Sequence, residues 1–146
     1  MSLDGVYDPD NIFAKIARGE SQCAKVFEDA DTIAFMDLFP QGRGHTLVIH
    51  KRARARNFLD VDLADVAPIM ATAQRVGRAL VKALNPDGLT MMQFNGEASG
   101  QTIFHLHFHL IPRWRGTPLG RHAQGMADAG ELAQLARQVS EAIEPD

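Results

Sequence analysis

HLHFHLI, residues 105–111, sets His105, His107 and His109 at alternate positions, with Leu106, Phe108 and Leu110 between them and Ile111 behind. Successive side chains of a β-strand point to opposite faces. On a strand the three imidazoles would therefore share one face about 6.8 Å apart, while the apolar residues share the other. On a helix they would diverge. The run predicts a strand that turns one face to a core and lines a cleft with the other.

Around it, TIFHLHFHLIP (102–112) reads as the fifth and last strand, ending at Pro112. KVFED (25–29), TIAFMDL (32–38), HTLVIH (45–50) and LTMMQFN (89–95) read as the four before it. Ala30 and Asp31 form the turn between the first two. Leu63, Val66, Ile69, Met70, Ala73, Val76, Leu80 and Leu84 recur at threes and fours and predict a helix over 62–84. Pro68 sits inside that stripe, so the helix either starts later than Asp62 or is kinked there. NPDG (85–88) stops it.

Asp10 is the expected cap of a short helix over 11–18, with Ile12, Phe13 and Ile16 on one side and Gly19 at its end. Leu132, Leu135, Val139 and Ile143 predict a C-terminal helical extension over about 127–144. The sum is one α+β domain over 1–146, with a core at about 11–114. It has a mostly consecutive antiparallel sheet and helices packed on one face.

Composition excludes several classes. The 146 residues are 45% hydrophobic and 23% charged, enough for a domain that buries roughly 70% of its unfolded surface. A net charge of −3 and a pI near 6.0 argue against dedicated nucleic-acid binding. KRARAR (51–56) is expected to be a solvated face, with Arg113 and Arg115 placed in sequence where they could meet extra phosphates of a long substrate. There is no basic-then-apolar leader and no run long enough to span a bilayer, so no membrane partner is expected and the cytoplasm is the default compartment. Cys23 is the only cysteine, which excludes an intramolecular disulfide and a cysteine-rich zinc site; a half-buried thiol is expected.

Three clustered histidines have three uses. As packing residues they are poorly explained, because neighbouring imidazoles repel when charged and need partners when buried. As metal ligands they suit zinc, copper, nickel or iron, but Glu97 is the one nearby carboxylate, and it lies on a loop. The third use is covalent catalysis on phosphorus, with one imidazole nitrogen unprotonated and the other held as a donor. SGQT (99–102) just upstream offers hydroxyls, an amide and a glycine to an anionic phosphoryl group. This third use accounts for the most residues.

At these residues the chain resembles the histidine-triad (HIT) family of nucleotide hydrolases and transferases, whose signature is His-φ-His-φ-His-φ-φ with φ hydrophobic. HLHFHLI matches every position. The resemblance extends to GQT, to FMDLFPQGRGHTLVIHK (35–51) and to IFAKIARGE near the N-terminus, covering roughly residues 11–114. It implies a five-stranded antiparallel sheet, two main helices and a homodimer. It also implies His107 as nucleophile on the α-phosphorus, His105 orienting it through its main-chain carbonyl, His109 donating to phosphate, and His45 standing behind the triad.

By the same resemblance Asn95, Gln101 and Thr102 surround the phosphate and leaving group, and Asp37 binds the ribose. Phe13, Phe35 and Leu38, with Ile12 and Ile16, line the base slot. The implied substrate is a purine nucleotide (AMP or GMP) conjugate, a nucleoside phosphoramidate or dinucleoside polyphosphate, cleaved without a cofactor. A nucleotide-binding regulatory protein with little catalysis is the rival from another class. The structural zinc of some branches uses Cys-x-x-Cys and a histidine where Asn11, Ala14 and Ala53 stand, so no metal is expected. His50 reads as a partly exposed strand end. The N-terminal half resembles the Hint-type branch, GQT…HLIPR the polyphosphate-cleaving branch, and the long C-terminal end prokaryotic members.

Overall fold

Burial along the strands shows why this chain folds as it does. In the computed structural model, which describes residues 3–121 and 125–145, β2 (Thr32–Met36) and β3 (Thr46–His50) are buried at every position. Such strands must be covered on both faces. Ala34, Met36 and Val48 point to one side, into a cluster with Ile69, Val76 and Leu80 of α2 (Leu63–Leu84) and Leu132 and Val139 of α3 (Ala129–Glu141). Ile33, Phe35, Leu47 and Ile49 point to the other side, where they meet Phe13 and Ile16 of the short α1 (Ile12–Ala17). The two long helices thus share one face of the sheet, and α1 covers the other.

β1 (Lys25–Glu28), β4 (Gly88–Met92) and β5 (Phe108–Arg113) complete a five-stranded sheet in the order β1-β2-β3-β5-β4, antiparallel throughout. The expected architecture is present. His109 on β5 stands opposite Leu47 of β3 and Met92 of β4, so it faces the α1 side, while Phe108 and Leu110 enter the core under α2.

The elements differ from expectation at several ends. β5 starts at Phe108, so His105 and His107 precede the strand, and only His109 is a strand residue. The cause is tertiary: Leu106 N–H donates to Ala55 O at 2.9 Å and so leaves the ladder. Asn11, not Asp10, caps α1, its Oδ1 accepting from Ala14 N–H at 2.9 Å. α2 begins directly after Asp62, whose carboxylate accepts from Ala64 N–H, and it runs through Pro68. Pro68 gives up its bond to the Ala64 carbonyl and crowds it, and the buried stripe beyond holds the helix. Leu63, counted in that stripe, is 72% exposed because it stands in the first turn, ahead of the core.

The basic run is not a uniform solvated face. Lys51 pairs with Glu28 at 2.6 Å and Arg52 pairs with Asp31, both at the surface. Arg56 is only 2% exposed, its guanidinium 4.8 Å over the Phe104 ring and its Nη1 donating to Val6 O at 3.3 Å. Arg113 lies at the opposite end of β5 from His109, with Nη1 donating to Thr90 Oγ1 at 3.2 Å, and Arg115 N–H is bound by Asp87. Neither lines the cleft around the histidines. His50 is buried rather than half-exposed: its Nδ1 accepts from Arg52 N–H and Ala53 N–H, capping the turn that leaves β3.

Candidate functional site

The site lies where the irregular segment before β5 crosses the ends of β2 and β3. Each histidine there has its tautomer set by what it touches, because a main-chain carbonyl only accepts and a main-chain N–H only donates.

His105 is buried, and its Nε2 lies 3.3 Å from His50 O, so that nitrogen carries the proton. Its Nδ1 accepts from the Tyr7 hydroxyl at 2.7 Å. Burial pushes the ring's pKa down to about 4 from an ordinary 6.5, against the opposing pull of the His50 carbonyl, and keeps it neutral near pH 7. The main-chain oxygen of His105 in turn accepts from His107 Nδ1 at 2.7 Å. In neutral His107 the lone pair therefore sits on Nε2. Phe13 meets that ring edge to face, with centroids 4.9 Å apart and planes at 88°.

His109 and His45 form the second half. Gln41 N–H donates to His45 Nδ1 at 3.0 Å, which leaves the proton on His45 Nε2. That Nε2–H faces His109 Nδ1 at 2.9 Å, so the neutral His109 carries its own proton on Nε2. Asp37 Oδ2 lies 3.4 Å from His45 Nε2, and Asp37 Oδ1 accepts from Phe39 N–H at 2.8 Å. The His107 and His109 rings are 4.9 Å apart between centroids. Adjacent imidazoles are thus poised oppositely: His107 offers a lone pair and His109 a proton.

Asp37, His107 and His109 open onto a cleft of about 550 Å³, whereas His45 and His105 are buried and do not line it. Of the residues expected at the site, Phe13, Phe35, Leu38, Asp37, Thr102, His107 and His109 line it together, with Ile12 and Ile16 beside Phe13. An apolar slot that ends in a few polar groups is the general form of a small-ligand pocket. Asn95 and Gln101 are not in its wall. Asn95 Oδ1 accepts from Phe58 N–H and from Gln93 Nε2, and Gln101 is 2% exposed. The Gln101 amide braces the loop before the histidines: Oε1 accepts from Gly96 N–H at 2.8 Å, and Nε2 donates to Arg56 O at 2.7 Å and Ile103 O at 3.0 Å.

Two contributions were not legible in the sequence. α3 supplies Ala129, Leu132 and Ala133 to the cleft wall. Its stripe reveals a buried face but not what that face meets. Tyr7 comes from a stretch without periodicity, where nothing marks it. Cys23, half-buried as expected, also lines the cleft, and burial raises its thiol pKa.

Among the described residues, Asp37, His45 and His109 bring metal-ligand atoms within 4.8 Å of one another, and His45 Nε2 and His109 Nδ1 face each other across 2.9 Å. The Cys-x-x-Cys zinc site does not fit this chain. Asn11 Oδ1 is engaged as a helix cap, and Ala14 and Ala53 have no ligating atom.

Known proteins share this fold. A crystal structure of a Hit-like protein involved in cell-cycle regulation from Bartonella henselae superposes with a TM-score of 0.90 at 44% identity, covering 95% of this chain and 100% of that one. Adenylylsulfatase HINT3 of Arabidopsis thaliana is 34% identical over 136 residues, 88% of this chain and 68% of that protein. Adenosine 5'-monophosphoramidase hnt1 of Schizosaccharomyces pombe is 36% identical over 104 residues, 70% of this chain and 72% of that protein. The HIT domain model matches residues 18–116, a span that takes in Asp37, His45 and all three histidines of the run. A histidine run at a cleft, on this sheet and with these relatives, makes the chain a member of the HIT family.

Proposed function

We propose that this chain hydrolyses purine nucleotide conjugates, or transfers their nucleotidyl group, by attack of His107 Nε2 on the α-phosphorus. The observation that carries the reading is the 2.7 Å bond from His107 Nδ1 to His105 O, which leaves the lone pair on Nε2 beside a proton-bearing His109. In the first step the Nε2–P bond forms and the bond from phosphorus to the leaving group breaks; an amine leaves with a proton taken from solvent, and sulfate leaves without one. In the second, water adds to phosphorus and gives up a proton to solvent, the P–Nε2 bond breaks, and nucleoside monophosphate is released. His109 and Thr102 stabilise charge on the phosphoryl oxygens. Asp37 accepts from the ribose hydroxyls, and the base lies among Phe13, Phe35 and Leu38. Asn95 and Gln101 act through the loop that they brace.

A nucleoside phosphoramidate or an adenylyl sulfate is the favoured substrate class, in line with the activities named for two relatives. A dinucleoside polyphosphate is less favoured, because Arg113 and Arg115 stand away from the cleft. The same proposal includes a homodimer built on the β4 edge, where Leu89, Met91 and the neighbouring Val81 of α2 are exposed. It also includes residence in a reducing compartment such as the cytoplasm, which suits a single free cysteine. No helix among the described residues is long and apolar enough to cross a membrane.

The decisive experiment is a panel of adenosine and guanosine phosphoramidates, adenylyl sulfate and dinucleoside polyphosphates, run with and without chelator and quenched in acid-free conditions to trap an acid-labile adduct. Turnover with a nucleotidyl group on His107 supports the proposal. Tight AMP binding with neither adduct nor product identifies a regulatory binding protein instead, and activity lost on chelation and restored by metal overturns the metal-free mechanism. Light scattering across a dilution series tests the dimer, which a monomeric mass throughout would reject.

A further inference from the structure

We propose that Tyr7, in the segment before α1, is a positioning residue for the catalytic histidines: its hydroxyl holds the His105 ring so that the His105 carbonyl keeps His107 in the reactive tautomer. The inference rests on the function proposed above. Its geometry is a chain of three contacts. Tyr7 OH lies 2.7 Å from His105 Nδ1, His105 Nε2–H donates to His50 O at 3.3 Å, and His105 O accepts from His107 Nδ1 at 2.7 Å. Both nitrogens of a buried imidazole are thereby satisfied, one by the main chain and one by a side chain from 98 residues away.

Removing the hydroxyl leaves a buried acceptor without its donor. Such a group costs free energy, and with its donor gone the His105 form protonated on Nδ1 is less disfavoured than in wild type. In that form Nε2 is an acceptor facing the His50 carbonyl, two acceptors that repel. The ring is then held less firmly beside the main-chain carbonyl that orients His107.

The N-terminal segment does not need the hydroxyl as an anchor. Asn57 Nδ2 donates to Leu3 O at 2.8 Å, and Arg56 Nη1 donates to Val6 O at 3.3 Å. Arg56 also stacks over Phe104, the residue just before His105, so the segment and the histidine loop are joined at a second point. Those contacts hold the chain while the hydroxyl acts on the ring, which separates an effect on chemistry from one on stability.

Tyr7→Phe in the full-length protein tests this, because it keeps the ring and removes only the oxygen. Two readouts are taken: histidine ring 15N shifts, which report the tautomers of His105 and His107, and kcat alongside the Kd for AMP. The expected result is a wild-type His105 protonated on Nε2, a shift toward Nδ1 in the variant, and a fall in kcat of about tenfold with AMP affinity kept within about threefold. Unchanged tautomers overturn the proposal whatever the rate does, since a slower enzyme would then reflect a structural role. Changed tautomers with an unchanged kcat overturn it as well. A wild-type protein that turns over no nucleotide conjugate defeats the proposed function, and the His107 tautomer in Tyr7→Phe then decides the positioning alone.

Discussion

The imidazole of His45 is hydrogen-bonded to that of His109, 64 residues later, across 2.9 Å in a fully buried setting. The direction of that bond follows from Gln41 N–H, which occupies His45 Nδ1 and so makes His45 the donor. His45→Ala therefore frees His109 to take either tautomer. The proton that His109 is proposed to offer the phosphate should then be in place only part of the time, and kcat should fall about tenfold or more. Steady-state kinetics with an adenosine phosphoramidate check this, and an unchanged kcat would show that His45 has no part in setting the tautomer.

His107→Ala removes the proposed nucleophile from a cleft whose remaining wall is mostly apolar. Turnover should drop by on the order of a thousandfold or more, whereas AMP should bind within about tenfold of wild type, since binding draws on the base slot. Calorimetry and product assays separate the two. Normal turnover in this variant would place the nucleophile elsewhere.

Gln101→Glu is nearly isosteric, but it replaces the amide that donates to Arg56 O and Ile103 O. A carboxylate oxygen there faces two carbonyl oxygens. The expected cost is about 2–4 kcal/mol, or a displaced loop, seen as a lower urea midpoint and weaker nucleotide binding. A Gln101 that only contacted ligand would leave the urea midpoint unchanged.

Gly44 holds φ at +85°, and a Cβ placed on it would lie 2.6 Å from Leu84 Cδ1 and 3.0 Å from Pro112 Cγ. Gly44→Ala combines left-handed strain with that overlap, so a loss of about 2–4 kcal/mol is expected. His45 is the next residue, and activity should fall with stability. Thermal melts and kinetics on one preparation test both, and a wild-type Tm would contradict the packing.

His105 makes stability depend on pH, because its folded pKa of about 4 lies below the ordinary 6.5. Between those values the unfolded chain binds a proton that the folded chain refuses, so stability is lost as pH falls through that window. The full contribution is on the order of 3 kcal/mol, and little changes above about pH 7. Urea unfolding at about pH 7 and pH 5 should show a smaller decline in His105→Asn than in wild type. Equal declines would assign the acid sensitivity to other groups.

Much of the fold is written in local patterns. The nearly continuous apolar runs in 32–36 and 46–50 mark strands covered on both faces, and the three-four spacing in 69–84 marks the buried side of a helix that repeats every 3.6 residues. Element ends are less legible. Leu106 leaves the sheet for the Ala55 carbonyl, and no local pattern announces a bond to a residue so far away. The same holds for Arg56, which reads as one cation in a basic run until Phe104 and Val6 are seen around it.

By itself the sequence determined the chemical inventory: three imidazoles spaced by apolar residues, a fourth at His45, an acid at Asp37, and a run of strands able to carry them. What only the tertiary structure decided is the state of each ring. A histidine's reactive nitrogen depends on which partner occupies the other one, and here those partners are Tyr7, the His50 and His105 carbonyls, the Gln41 amide and His45. Most of them lie far away in the chain, so the proton positions that distinguish a nucleophile from a donor exist only once the chain has folded.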